Sequence, residues 1–430
     1  MINRRNLLLG SAAVAVAGSL AACSSTAGSS TTGAGGAGAK TEITMFHRWP
    51  MEPKNGYFES LVKKFTDANP TISVKVDKVI NDTYKDKVRV SVGSPQAPDL
   101  FFSWSGSFAT SLVATGNVLE LDDILAKDAA FKSQFVGNQL PPFQVGGKQV
   151  GLPIGMIGKF WFYNKKLFAD QGITPPKTWQ ELLDAAAKFK AAGILPISYG
   201  SKDQWTIAHY VGTLNQRILD PSVTKKDYEP TTGEFTDAGY VEALQRFADL
   251  LPYMTPMPNA VAHQQARDAF IAGKAAMMYL EGAEYDYFKG SSLEWGTFNF
   301  PSMPGGKGDQ SQLTGAPEGF MIAKNSKHPE EAVKLLKFLL SETMGVEWTN
   351  QTGELTAIKG GVDKSSAPES VKEMANNIAA SSEMTPWLDN ALDQRLVSTY
   401  LSETQLLLGG RKAPAEVMQA VQATAKQVRS

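Results

Sequence analysis

Residues 42–80 read EITMFHRWPMEPKNGYFESLVKKFTDANPTISVKVDKVI, and their pattern decides the fold class. The segment 42–47 is a short apolar strand, and 57–68 carries apolar side chains at helical spacing. The segment 72–80 then alternates apolar and polar residues, which is typical of a second strand. Strands that alternate with helices of this length predict βαβ units and a mostly parallel sheet.

The alternation of strands and helices continues along the chain. A hairpin is predicted to turn at Gly146 and Gly147, because both residues can adopt positive φ. A later helix begins with a capping box, in which Thr178 is the N-cap and Glu181 lies three residues on. A second α/β set therefore begins near residue 155. The folded part has about 390 residues, more than one core usually supports, so we expect two domains.

The N-terminal residues predict an exported protein. Arg4 and Arg5 precede an apolar run of 16 residues at 7–22, shorter than the ~20 residues of a membrane-spanning helix but suited to a signal peptide. The run ends in Leu-Ala-Ala before Cys23, which resembles the bacterial lipobox, where the cysteine is diacylated and becomes the first mature residue. We therefore expect a signal peptide and a lipid anchor on Cys23. General and twin-arginine export both stay open.

The residues after Cys23 predict a flexible tether. The stretch 24–39 contains only Ser, Thr, Ala and Gly, so it has too little apolar bulk to fold. We assign 1–22 to the signal peptide and 23–39 to the tether. A diacyl anchor followed by such a tether predicts an extracytoplasmic protein held at the bacterial cell membrane.

Composition excludes several classes of function. Without the two N-terminal arginines the chain carries 40 basic and 43 acidic residues, which argues against nucleic acid as a partner. One cysteine permits no disulfide within the chain. The four histidines are scattered, and neither a phosphate-binding loop nor a Gly-x-Ser-x-Gly elbow is present. We therefore expect no metal, no cofactor and no enzyme activity.

Eight short motifs follow one another at spacings that resemble a known family. They lie at 43–49 (ITMFHRW), 97–104 (APDLFFSW), 151–155 (GLPIG), 162–168 (FYNKKLF), 176–182 (PKTWQEL), 270–278 (FIAGKAAMM), 323–332 (AKNSKHPEEA) and 413–417 (APAEV). The chain resembles the family 1 extracellular solute-binding proteins of ABC importers, which include maltose- and other oligosaccharide-binding proteins.

That resemblance implies a periplasmic-binding-protein-like α/β fold, with two lobes around a hinge and a ligand cleft between them. Lobe 1 would comprise 40–153 and 296–338, and lobe 2 would comprise 157–294 and 339–430. The run 151–155 would be the first crossing between them, and its glycines and proline suit a hinge. The protein would capture an oligosaccharide in the cleft as a monomer and deliver it to the membrane permease.

Sugar recognition calls for flat aromatic rings and for side chains that donate or accept hydrogen bonds. Four of the eight tryptophans fall in loops after predicted strands or in a late loop, and these are the predicted stacking platforms: Trp49, Trp104, Trp205 and Trp387. The predicted polar and aromatic partners are His47, Arg48, Glu281, Glu284, Tyr285 and Asp389. Related proteins commonly carry a Gly followed by a Trp after the strand that ends at residue 280; this chain has Glu281, Glu284 and Tyr285 there instead.

Two other functions stay open at this point. The same fold could bind a non-sugar solute: a polyamine would favour clustered carboxylates between aromatic rings, a metal would favour paired Tyr or His ligands, and a peptide is a third choice. A secreted carbohydrate-active enzyme would need two carboxylates at a defined separation, which a sequence does not reveal.

Overall fold

The computed structural model describes residues 40–381 and 383–430. The predicted signal peptide at 1–22, the lipid anchor Cys23 and the tether at 23–39 lie outside the described residues. Within the described part of the chain, no helix is long and apolar enough to cross a membrane.

The first three strands of the described residues alternate with helices, as predicted, whereas four later strands between residues 144 and 164 follow one another without an intervening helix. The strands are β1 (Thr41–His47), β2 (Ile72–Lys78), β3 (Leu100–Trp104), β4 (Gln144–Val145), β5 (Lys148–Gln149), β6 (Leu152–Gly155), β7 (Lys159–Asn164), β8 (Leu195–Ile197), β9 (Ala275–Glu281), β10 (Trp295–Phe298), β11 (Leu313–Thr314), β12 (Glu318–Ile322) and β13 (Met384–Thr385).

The described residues also form α-helices. They are α1 (Lys54–Ala68), α2 (Asn81–Val92), α3 (Ser107–Val113), α4 (Asp122–Lys127), α5 (Ala129–Ser133), α6 (Lys165–Asp170), α7 (Trp179–Ala191), α8 (Trp205–Ile218), α9 (Pro221–Asp227), α10 (Ala238–Leu250), α11 (His263–Ile271), α12 (Pro329–Leu339), α13 (Glu342–Thr352), α14 (Glu369–Ala380), α15 (Leu388–Ala391), α16 (Gln394–Leu408) and α17 (Pro414–Arg429).

Two sheets organise the chain. The first has five strands in the order β2-β1-β3-β12-β6, and the second has four in the order β10-β7-β9-β8. In the first sheet β1 is parallel to β2 and β3, as the βαβ pattern predicts. The expectation of a mostly parallel sheet is wrong elsewhere, because β12 is antiparallel to β3 and β6, and β7 is antiparallel to β9 and β10. The β6 strand leads out of the first sheet while β12 leads into it, so the two run in opposite directions.

Each sheet has its own hydrophobic core. The core of the first sheet draws on β1, β3 and β12 and on the helices that cover them, and it also includes Met344, Trp348 and Ile358 from beyond residue 338. The second sheet packs a separate core on each of its faces. The residue boundaries of the two lobes stay a prediction.

Three chain segments run side by side where the chain passes between the sheets. The first connects β6 to β7; its Met156 N–H donates to Leu355 O at 2.8 Å. The second leads into β12, and its Gly315 bridges Gly158. The third contains Thr356, which bridges Gly155. The glycines allow this close approach, since a Cβ at Gly315 would lie 1.9 Å from the carbonyl oxygen of Ile157.

Two local predictions are confirmed. Gly146 and Gly147 have φ values of 58° and 77° at the turn between β4 and β5. At the start of α7 the Glu181 N–H donates to Thr178 Oγ1 at 3.3 Å, and the Glu181 carboxylate accepts from the Thr178 N–H at 3.3 Å. This reciprocal pair is the capping box that the sequence predicts.

Candidate ligand-binding site

Arg48 follows β1 and lies among three aromatic rings. Its Nη2 donates to both carboxylate oxygens of Glu318, at 2.6 and 2.5 Å. The guanidinium carbon lies 4.9 Å from the ring centroid of Trp49 and 5.2 Å from that of Trp104, within the range of cation–π attraction. The structure therefore brings the predicted site residues Arg48, Trp49 and Trp104 together. Glu318, at the start of β12, joins this group through its ion pair with Arg48.

The rings of Trp49 and Trp104 are largely covered in this conformation. Their exposed fractions are 5% and 8%. Trp49 packs on Phe58 and Trp348, while Trp104 packs edge-on against Phe102 and Phe108. Their stacking role toward a sugar stays a prediction that requires these rings to be uncovered.

His47 lies in the core behind Trp49. It is fully buried, stacks on Phe58 with centroids 4.4 Å apart, and accepts a hydrogen bond at Nδ1 from the Trp49 N–H at 3.2 Å. Burial lowers the pKa of His47 to about 3, with a smaller contribution from Lys78. The side chain is therefore neutral at physiological pH, and its position is one that supports Trp49.

Trp205 begins α8 and remains partly exposed. Its ring centroid lies 5.0 Å from that of His209 and 4.5 Å from that of His263. The Lys159 ammonium lies 5.2 Å from the same centroid. Among the four predicted platforms, Trp205 is the one with an accessible ring, and polar side chains border it.

Glu284 and Tyr285 are buried beside the second sheet. Glu284 Oε2 lies 2.6 Å from His263 Nε2 and accepts from Arg267 Nη1 at 3.1 Å. Burial opposes ionisation, but His263, Lys159 and Arg267 together lower the pKa of Glu284 to about 2. Tyr285 is 5% exposed and belongs to the core on one face of the second sheet.

Glu281, at the end of β9, lacks the close ion pairs that Glu284 makes. Its side chain is 27% exposed, and its nearest ring nitrogen, His209 Nδ1, is 3.9 Å away. Within the described part of the chain its carboxylate accepts no close hydrogen bond. Burial raises the pKa of Glu281 to about 8, although Lys159 opposes this rise.

Trp387 and Asp389 lie in the loop and short helix α15 at the junction of the two sheets. Trp387 is 4% exposed and packs with Ile157 and Ala316, which lie in the segments that pass between the sheets. Burial raises the pKa of Asp389, and its Oδ1 is buried without a partner among the described residues. Next to it, Asn390 Oδ1 accepts from Lys85 Nζ at 3.1 Å, and its carbonyl accepts from Ser107 Oγ. This segment therefore contacts helices of both sheets.

Sequence reasoning missed two residues at the centre of this site. Lys159 is buried at the start of β7, and its Nζ lies 2.7 Å from His209 Nδ1. A lone lysine in the apolar strand KFWFYN was a usable signal, because a buried lysine needs polar partners. His209 follows Trp205 by four residues on α8, so the two share a helix face.

Two surface cavities lie away from these residues. One of about 600 Å³ is lined by residues of β1, β2 and α2, including Phe46 and Val90. The other, of about 780 Å³, is lined by residues near α6 and α11, including Leu167 and Ile271. Neither is lined by a predicted site residue. In the described residues no group of three or more His, Cys, Asp and Glu side chains is placed to hold a metal ion.

Comparison with known proteins identifies a family match and a shared fold. A family described as bacterial extracellular solute-binding protein matches residues 49–346. An ABC transporter extracellular-binding protein of Pyrococcus horikoshii, described as uncharacterized, is 24% identical over 372 residues, which cover 81% of this chain and 80% of that protein.

Two solved structures superpose on nearly the whole described fold. A chitin oligosaccharide binding protein has a TM-score of 0.80 at 26% identity and covers 91% of this chain and 99% of its own. A structure that concerns xylan utilization by the thermophilic bacterium Caldanaerobius polysaccharolyticus has a TM-score of 0.80 at 25% identity and covers 89% and 99%.

Proposed function

Since this chain belongs to the bacterial extracellular solute-binding proteins, we propose that it captures an oligosaccharide between its two lobes and delivers it to an ABC importer. The family and the periplasmic-binding-protein-like fold predicted from the motifs are both confirmed by the family match and by the structural neighbours. The class of ligand, the delivery to an ABC importer and the membrane anchor are the parts that we propose. In each of them the protein acts as a binding protein.

One observation carries the choice of an oligosaccharide. The partly exposed ring of Trp205 is bordered by His209, His263 and Lys159. A sugar ring has an apolar C–H face that stacks on an aromatic ring, and its hydroxyl groups both donate and accept hydrogen bonds. An aromatic platform with polar side chains at its edge can therefore stack on the apolar face of a sugar and hydrogen-bond its hydroxyl groups.

Similar proteins support the same choice. The chitin oligosaccharide binding protein and the xylan-related structure share the fold at 25–26% identity. The relative from Pyrococcus horikoshii is described as part of an ABC transporter, which supports delivery to an importer. We expect the two lobes to close on the sugar because a ligand that contacts both favours the closed state by its differential affinity.

Cys23 is proposed as the diacylated anchor that holds the protein at the outer face of the cell membrane. Cys23→Ala should shift the protein from the membrane fraction to the soluble fraction of the cells that produce it. A variant that stays in the membrane fraction would contradict the anchor without affecting the proposed ligand.

A polyamine is the second candidate, and a specific observation favours it. Glu281 lies beside the His209 ring, Asp389 follows Trp387 by two residues, and neither carboxylate is neutralised by a close ion pair in the described part of the chain. Carboxylates between aromatic rings suit a polycation. The buried ammonium of Lys159 argues against this candidate, because Lys159 is the register partner of Glu281 on the same face of the second sheet.

The deciding experiment is a thermal-shift screen of residues 40–430, which form one compact unit. The ligands are xylotriose, chitotriose, maltotriose, the parent monosaccharides, amino acids and spermidine. A ligand at a hundredfold excess over its Kd stabilises the folded state by about 3 kcal/mol, which shifts the Tm visibly. Stabilisation by one oligosaccharide series supports the proposed function, whereas stabilisation by spermidine alone would replace it with the second candidate.

A further inference from the structure

Lys159 is a buried cation beneath the accessible platform. Its side chain is 1% exposed, and its Nζ lies 2.7 Å from His209 Nδ1 and 5.2 Å from the ring centroid of Trp205. On the neighbouring strand Glu281 is its direct partner in register, so the two side chains share one face of the second sheet. No contact within 4.0 Å pairs Lys159 with a carboxylate among the described residues.

Most carboxylates near the site already have a cationic partner. Glu318 is bound by Arg48, Glu354 by Lys54, and Glu284 by Arg267 and His263. Those carboxylates therefore form ion pairs within the protein and stabilise its structure.

Glu281 and Asp389 differ from the other carboxylates of the site. Glu281 is partly exposed, and Asp389 Oδ1 is buried with no partner in the described part of the chain. An acceptor buried without a donor costs free energy, so both are suited to accept hydrogen bonds from a ligand. Glu281 Oε1 lies 3.9 Å from His209 Nδ1, and the His209 ring lies beside the ring of Trp205.

We propose that Lys159 is a positioning residue of the sugar site, whose ammonium group lies opposite Glu281 beneath Trp205 and holds that carboxylate ready to accept hydrogen bonds from sugar hydroxyl groups. The inference rests on the proposed function and narrows its ligand class: the sugar is neutral and presents hydroxyl donors, since an anionic substituent would meet the carboxylate of Glu281. A polycation is disfavoured because Lys159 supplies the positive charge already.

The electrostatic environment supports this role. Burial raises the pKa of both carboxylates, to about 8 for Glu281, and Lys159 lowers both. In return, burial lowers the pKa of Lys159 while Glu281, Glu284 and Asp389 raise it. The titratable and charged groups that face this cluster come from α8, α11, β9 and its following turn, β12, the segment after α13, α15 and α2: His209, His263, Arg267, Tyr279, Glu281, Glu284, Glu318, Glu354, Asp389 and Lys85.

The test measures Kd against pH for residues 40–430. The probe is whichever of xylotriose, chitotriose and maltotriose gives the largest thermal shift, titrated from pH 6 to pH 9.5. For the wild type we expect affinity to rise as the pH passes through about 8, because Glu281 loses its proton there. Lys159→Met should bind at least about tenfold more weakly at pH 7.5, and its rise should move to higher pH because the carboxylates stay protonated longer.

Three further variants separate this role from simple structural support. Lys159→Arg restores the cation and should restore most of the wild-type profile. Glu281→Gln cannot ionise and should lose the rise near pH 8. Glu59→Gln removes an exposed carboxylate on α1 that bonds Lys78, far from the cluster, and should match the wild type throughout.

A sugar that binds Lys159→Met with the wild-type pH profile would overturn the inference and leave the proposed function standing. If Lys159→Met does not fold by circular dichroism, Glu281→Gln decides, since an unchanged rise near pH 8 in that variant also overturns it. Binding of spermidine in place of every oligosaccharide would overturn the proposed function, and this inference with it.

Discussion

The indole ring of Trp387 stacks on the imidazole ring of His209, with centroids 4.0 Å apart and planes inclined by 24°. The same indole packs on Ile157 and Ala316, which lie in two of the segments that pass between the sheets. His209 in turn contacts Lys159. A ring predicted as an open platform is therefore a packed link between the ligand site and the crossing segments, so a change in lobe angle is expected to alter the site through it.

The accessibility of Trp205 leads to a prediction about affinity. Trp205→Ala removes the stacking face at the start of α8, and because its ring is only partly buried, the loss of stability should be small. We expect the Kd for the best oligosaccharide to rise at least about tenfold, which corresponds to about 1.4 kcal/mol of binding free energy. Titration of tryptophan fluorescence or calorimetry measures this change.

Trp104→Ala is the matched comparison, because the same substitution removes a ring that is 8% exposed. Truncation of a core aromatic side chain costs about 3–5 kcal/mol, so its Tm should fall by several degrees. If Trp205→Ala bound sugar with wild-type affinity, Trp205 would not be the platform.

The order of β1, α1, β2 and α2 could be predicted from sequence because each element carries its own periodicity. The pairing of β12 with β3 and β6 could not, because it joins segments more than 150 residues apart and leaves no local pattern. The hairpin at Gly146 and the capping box at Thr178 were predictable for the same local reason, since short-range backbone geometry decides them.

The candidate site was predictable only in outline. Trp49, Trp104 and Arg48, which were named from their places in sequence, lie together in the structure, and the role of all the named residues stays a prediction. Which rings stay accessible depends on tertiary packing: Trp49 is covered by Phe58 and Trp348, and neither contact follows from its own segment. The contact of Lys159 with His209 joins a strand to a helix 50 residues later, so only the structure reveals it.

The Arg48–Glu318 pair leads to a prediction about stability. The side chains are 16% and 8% exposed, so Arg48→Ala leaves a mostly buried carboxylate without its partner. Breaking such a pair costs about 3–5 kcal/mol, and the lost packing on Trp49 and Trp104 adds to it. Urea unfolding at pH 7 measures the change in the free energy of unfolding.

Two controls accompany Arg48→Ala. Lys63→Ala breaks the exposed pair with Asp67 and should change stability by less than about 0.5 kcal/mol. The double variant Arg48→Met with Glu318→Leu removes both charges and should recover much of the loss. If the double variant were less stable than Arg48→Ala, the unpaired charge would not be the cause.

The buried His47 leads to a prediction about pH. Its folded pKa of about 3 lies below the ordinary value of 6.5, so the unfolded chain binds the proton more tightly. Stability from this group is complete above about pH 6.5 and is lost as the pH falls toward 3, by about 4–5 kcal/mol in total. The free energy of unfolding from urea titrations at pH 7 and pH 4 measures the decline.

His47→Asn keeps an acceptor for the Trp49 N–H but cannot take up a proton in this range. It should be less stable than the wild type at pH 7, yet lose less stability between pH 7 and pH 4. Parallel declines in the two proteins would show that other groups, chiefly carboxylates, cause the acid sensitivity.

Gly315 leads to a prediction about the crossing between the lobes. A Cβ at this position would lie 1.9 Å from the carbonyl oxygen of Ile157 and 2.8 Å from Met384 Cε, so Gly315→Ala must push the two adjacent segments apart. We expect a loss of at least about 2 kcal/mol in the free energy of unfolding and weaker sugar binding, since Ile157 also supports Trp387.

Gly137→Ala is the matched control, because a Cβ there would meet nothing within 4 Å. Its Tm and its Kd should both stay close to the wild-type values. Small-angle scattering with and without the best oligosaccharide then tests closure directly, and Gly315→Ala should show a smaller ligand-induced decrease in radius of gyration than Gly137→Ala. Equal stability, affinity and compaction in the two variants would mean that the close approach of Gly315 to Ile157 does not constrain the crossing.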